Sequence, residues 1–130
     1  MSIEHEIHDQ WAGNATLEVL IPAARRFTGV AVGEAKLPYM VLNEQRARPH
    51  VRASQTRNVD RVELTFQIFT DDLDQSKAIA EAIHAQFDRQ SFASDEGNVV
   101  SMRLAESTEH IHDDGVWQLA AKYTLIIERT

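Results

Sequence analysis

The chain has 130 residues, 43% of them hydrophobic, with 13 basic against 20 acidic residues, a net charge of −7 and no cysteine. Those totals suit one domain with a real core and exclude disulfide and thiolate chemistry. An acidic surface repels phosphate backbones, so neither nucleic acid nor an anionic membrane is an expected partner, and no apolar run approaches the roughly 20 residues that span a bilayer. The N-terminus lacks the basic start and apolar run of a signal peptide, which points to the cytoplasm.

Residues 2–21 read as a helix opened by Ser2, with Ile3, Ile7 and Trp11 on one face at i, i+4 spacing. Gly13 and Asn14 weaken its middle and mark where it would split. Leu17, Leu20 and Ile21 resume the apolar stripe, and Pro22 disfavours helical geometry at Ile21. Phe27, Val30 and Val32 suggest a short strand between turns at Gly29 and Gly33. Pro38 opens a strand at Tyr39–Glu44, a position where a proline loses no needed ladder bond. Residues 45–58 are polar and read either as an extended edge strand or as a loop.

The chain is organised around Arg61 to Asp88. Val62, Leu64, Phe66 and Ile68 alternate with Arg61, Glu63, Thr65 and Gln67, the period of a strand with one buried face. Asp72, with Gln75 three residues later, forms a capping-box pattern. Ile79, Ile83 and Phe87 then recur every four residues, which predicts a helix over 72–89. Ser91–Asn98 reads as a turn region. Val100, Met102 and Leu104 alternate as a strand, and the residues between Ala105 and Val116 read as a polar connection. Trp117, Leu119, Ala121, Tyr123, Leu125 and Ile127 make the longest alternation in the chain. The expected fold is α+β, in a single domain over 1–130. It is a mostly antiparallel sheet of four to five strands with one apolar face, covered by the 72–89 helix and an N-terminal helix.

No stretch dictates catalysis. The glycines match neither phosphate-loop nor dinucleotide spacing, and there is no nucleophile elbow. His110 and His112, within Glu109–Asp114, would point the same way on a strand, as two metal ligands could. No third ligand is dictated, however, and a solvated hairpin loop is the favoured reading. His5 and His8 lie at i, i+3 on the first helix, where a polar helix face is favoured over a metal pair. Arg46, Arg48, Arg52 and Arg57 make the one basic cluster. Their planar forks suit carboxylates of a neighbouring subunit, for which Asp113 and Asp114 are the candidates. No cofactor and no metal are expected. The competing reading is a metal-binding or small-ligand-binding α+β module, with a ligand cavity under Phe66, Ile83 and Trp117.

Taken in order, several segments resemble the small tail-completion proteins of long-tailed bacteriophages, relatives of the tail terminators. They are Leu20-Ile21-Pro22-Ala23-Ala24-Arg25-Arg26-Phe27, Pro38-Tyr39-Met40-Val41-Leu42, the arginine-led strand and Ala-rich helix of Arg61–Asp88, Val100-Ser101-Met102-Arg103, and the closing strand from Gly115-Val116-Trp117 to Glu128. The resemblance covers nearly the whole chain except the stretch 44–58. It implies a non-enzymatic role in virion assembly, without cofactor or active site. Copies of the chain would form a ring, six-fold in tail terminators, that ends tube growth and joins the tail to the head connector. The implied location is the virion tail, with assembly in the host cytoplasm, and the gene could reside in a prophage or gene-transfer element.

Overall fold

The computed structural model describes residues 3–29, 36–54, 57–94, 97–112 and 114–129, and for 45–54, 57–59 and 129 the backbone alone. The elements run α1 (Ile3–Ala12), α2 (Ala15–Leu20), a 3₁₀ turn (Ala23–Arg25), β1 (Arg26–Thr28), β2 (Tyr39–Ser54), β3 (Arg57–Thr70), α3 (Leu73–Phe87), β4 (Phe92–Ser94), β5 (Gly97–Ile111) and β6 (Trp117–Arg129). The six strands form one sheet in the order β1-β2-β3-β6-β5-β4. The fold is α+β as expected, but with six strands rather than four or five. Among the described residues it also has three α-helices, and β1 runs parallel to β2 while every other described pair is antiparallel.

The N-terminal helix splits at Gly13-Asn14. The Asn14 side chain accepts the Leu17 N–H at 3.1 Å and so caps α2, which ends before Ile21-Pro22. Ser2, Val30 and Val32 lie outside the described residues, and Phe27 stands in β1. The turn from β3 into α3 is held from both sides. Thr70 and Ser76, both fully buried, share a hydroxyl hydrogen bond, and Thr70 also donates to the Asp72 carbonyl at 2.7 Å. Asp72 caps α3 by accepting the Asp74 N–H at 2.9 Å. At the other end Arg89 adopts φ 60, the left-handed conformation that commonly closes a helix.

Two expected loops are strands, and the polar stretch left open between edge strand and loop is a strand over 45–54. Residues 45–54 continue β2, and a two-residue connection leads into β3 at Arg57. The Ser91–Asn98 turn contains β4, which pairs Phe92 with Val99 and Ser94 with Gly97. β5 continues through the expected polar connection as far as Ile111, opposite Trp117. Polar composition there reflects exposure of an edge strand rather than the lack of a ladder. The alternation of Val100, Met102 and Leu104 is also corrected. A register shift between Val99 and Ser101 places Val99 opposite Ile127 on the buried face and leaves Val100 49% exposed.

The buried face gathers Met40, Leu42, Val62, Leu64, Phe66, Ile68, Leu119, Tyr123, Leu125 and Ile127 against Ile3, Ile7 and Trp11 of α1, Leu17 of α2 and Ile79, Ile83 and Phe87 of α3. Phe66 lies at its centre, with ring centroids 6.3 Å from Trp11, 5.6 Å from Phe87 and 5.6 Å from Tyr123. The Trp11 indole N–H donates to the carbonyls of Leu17 and Ile21, both at 3.0 Å, and so ties α1 to the end of α2. Arg26 lies over the Trp11 ring at 5.7 Å and donates to Glu18 at 2.7 Å and to the Ile21 carbonyl at 3.0 Å. His8 Nε2 meets Thr28 Oγ1 at 2.9 Å, joining α1 to β1.

Replacing Trp11 by Phe removes the donor for those two carbonyls and some buried volume, and is expected to cost about 1–3 kcal/mol in urea unfolding. Partial burial, then Arg26 and His5, holds His8 below the ordinary histidine value of 6.5, with Asp9 opposing. The folded state therefore resists a proton that the unfolded chain accepts. Stability is complete above pH 6.5 and falls as pH drops below it. Thermal melts of His8→Gln should show a flatter dependence over that window than the unsubstituted chain, and an unchanged slope would remove His8 as the cause.

Candidate functional site

Arg46 stands midway along β2, opposite Val62, while Arg48, Arg52 and Arg57 lie nearer one end of the sheet and Asp114 lies at the other. The connection between β2 and β3 lies at the end where Asn58 pairs with Arg129 and Asn98 with Glu128. Arg46, Arg48, Arg52 and Arg57 belong to this hairpin, and the positions of their side chains lie outside the described residues. The turn between β5 and β6 lies at the other end, where Thr70 pairs with Trp117 and Tyr39 with Phe69. Asp114 sits in that turn, accepting the Val116 N–H at 3.1 Å, and its charge helps to raise the Tyr39 hydroxyl pKa after the larger effect of burial. Asp113 lies outside the described residues. The chain does not bring the arginine-bearing backbone and Asp114 together. It separates them along the length of its strands.

His110 and His112 do share a face, with ring centroids 4.8 Å apart, but at the end of β5 rather than in a long loop. His112 Nε2 meets Gln118 Oε1 at 2.8 Å. Among the described residues no group of three or more His, Asp or Glu side chains could hold a metal ion. His5 faces Asp9 at 3.4 Å on an exposed helix face, while His8 bonds Thr28.

Phe66 and Ile83 are fully buried in the packed core, Trp117 is half-buried at its end, and the concavity lies elsewhere. An open groove of about 300 Å³ runs between α3 and β5, lined by Ala80, Glu81, His84, Leu104, Ser107 and Tyr123. It lies along the flank of α3, where the helix packs over β3 and β6 and leaves the side toward β5 open. Leu104, 40% exposed, and Ile111, 50% exposed, stand on the same strand face beside it. Tyr123 Oη lies 3.4 Å from His84 Nδ1, and burial followed by the Asp88 carboxylate raises the phenol's pKa, keeping it protonated. A neutral phenol, an imidazole and an apolar floor line this open concavity.

The outer face of the sheet carries Asn43, Glu63, Thr65, Gln67, Lys122 and Thr124, as its polar alternation requires. At the Asp114 end it turns aromatic. Tyr39 stacks on Phe69 with centroids 4.6 Å apart, and Phe27 meets Tyr39 edge-on at 6.2 Å. Sequence alternation alone did not single out this cluster, because its three rings come from three strands that meet only in the folded sheet.

The model of the family described as "Tail completion protein gp17" matches residues 5–128, and the chain belongs to that family. No curated protein matches it. Among solved structures, a chain from "Virion of native gene transfer agent (GTA) particle" has the same fold. It aligns with a TM-score of 0.79 at 17% identity, covering 94% of this chain and 91% of that one.

Proposed function

We propose that this protein completes the tail tube of a phage, prophage or gene-transfer particle as a ring of its own copies, six by its resemblance to tail terminators, and joins the tube to the head connector. Family membership over residues 5–128 carries this reading. The likeness in fold to a chain of a gene transfer agent virion supports the same setting, the virion tail, reached after assembly in the host cytoplasm.

The separation of charge gives the reading a geometry. A ring is made of heterologous contacts between different faces of one subunit. With the ring axis along the strands, the arginine-bearing hairpin and the Asp113–Asp114 turn face opposite ways along that axis. Each end then meets a different partner, the tube or the connector. Arg46, Arg48, Arg52 and Arg57 pair with carboxylates at one end, and Asp113 and Asp114 with cations at the other. A contact between arginines and aspartates of two copies arises only where copies are displaced along the strands, as between stacked layers.

Deleting the gene from a particle-producing strain should leave heads and tails unjoined in electron micrographs, and complementation should restore joined particles. Joined, infective particles without the gene would overturn the proposal. Alanine at Arg46, Arg48, Arg52 and Arg57 together should weaken binding to purified tubes or connectors by roughly tenfold at low salt and flatten its salt dependence. Binding to both partners that ignores salt and the substitutions alike would remove the arginines from the contact.

A further inference from the structure

We propose that neighbouring copies join by continuing one sheet across the subunit boundary, with β1 of one copy adding to the open edge of β5 in the next. This rests on the ring reading above.

The β5 edge is open over part of its length. β4 covers it opposite Val99, Asn98 and Gly97. The end of α3 covers the next stretch, where the Arg89 N–H donates to the Met102 carbonyl at 2.6 Å and Asp88 accepts the Leu104 N–H at 3.0 Å. No described strand lies beside Ala105–Ile111 on that side. From Glu106 to Ile111 the register against β6 is continuous and free of proline, which is the form of edge that accepts another strand.

At the opposite edge of the sheet, among the described residues, β1 covers β2 only at Met40, Val41 and Leu42, and no described strand lies beyond β1. Rotation about an axis along the strands keeps every strand at its height and polarity. Followed across the ladders, Arg26 is level with Glu109, Phe27 with Thr108 and Thr28 with Ser107. β1 is parallel to β2, and three antiparallel steps separate β2 from β5, so β1 meets β5 antiparallel. The outlines also match. β1 projects at the height where no described strand covers β5, and β4 projects at the height where no described strand covers β2.

Charge and apolar surface agree with this occupant. Glu106 and Glu109 are exposed on the receiving strand, while Arg25 and the exposed Lys36 flank β1. The neighbour's α1 is tied to its β1 through His8 and Thr28, so it arrives on the buried-face side, over the groove between α3 and β5. That contact gives Leu104 and the groove floor their cover.

The chain has no cysteine, so a disulfide can report the register. Directly opposed residues of antiparallel strands have Cα atoms about 4.5–5.5 Å apart, within reach of a disulfide. The variant carrying Thr28→Cys and Ser107→Cys, oxidised while assembling on purified tubes, should give a ladder of covalent oligomers that ends at the ring number. Each single substitution should give dimers at most, and Thr28→Cys with Val100→Cys should stay at that control level. Phe27→Cys with Thr108→Cys tests the same register should the first pair fold poorly. Rings visible by electron microscopy in which neither pair links above the control would overturn the edge pairing and leave the ring standing. A ladder that climbs without closing would keep the pairing and remove the ring. The absence of both ladder and assembly would remove both.

Discussion

A sheet with one apolar face has to be covered on that face, and this chain covers its sheet unevenly. Phe66 marks the best-covered point, where Trp11 of α1, Phe87 of α3 and Tyr123 of β6 close around one ring. Burying such aromatics dominates the energy of a small core, and offset and edge-on contacts add to it. Away from Phe66 the cover thins. β5 and β6 outrun α3, and Leu104 and Ile111 are left at the surface on the strand face that elsewhere makes the core. The groove follows from the placing of α3, which lies over β3 and β6 and leaves its flank toward β5 open.

That core was legible in the sequence wherever two periods coincided. The alternation from Val62 to Ile68 and from Trp117 to Ile127, and the four-residue repeat Ile79, Ile83 and Phe87, each mark residues that are buried or half-buried on the expected face. Asp72 as cap and Gly13-Asn14 as break were readable because capping and helix breaking are local chemistry. For 45–54 the sequence left edge strand and loop open, and pairing with β3 decides for the strand. The extension over 105–111 was not readable, because those residues are exposed and burial no longer selects apolar side chains there. The strand character of both stretches comes from a partner strand, β3 or β6, which a local pattern does not display. Val100 misled for a related reason. A bulge adds one residue to the strand and reverses the facing of everything before it, and period-two reading assumes that no such residue exists.

The candidate surfaces were half legible. Composition alone located the arginine cluster and the acidic run. Only the strand order shows that Arg48, Arg52 and Arg57 lie nearer one end of one sheet and Asp114 at the other, a separation set by the antiparallel pairing of β3 with β6. The paired imidazoles of His110 and His112 show the converse: the expected proximity is present, yet no third ligand-bearing group stands near them among the described residues.

Uneven cover also bears on how a sheet with open edges is guarded. An unpaired strand edge invites indiscriminate pairing, and small domains guard it with charge, proline and bulges. Both edges here carry guards. β2 has Pro49 and register shifts on either side of it, and the bare part of β5 carries Glu106 and Glu109. The guards differ in kind, and the difference matters. Proline and bulges forbid a regular ladder whatever approaches, whereas carboxylates repel other acidic edges and admit a basic one. On a chain whose net charge is −7, exposed Glu106 and Glu109 set this edge against other acidic edges by like-charge repulsion. Selection of this kind needs no moving part. It follows from placing negative charge on the one long, regular edge and the disruptive residues on the other.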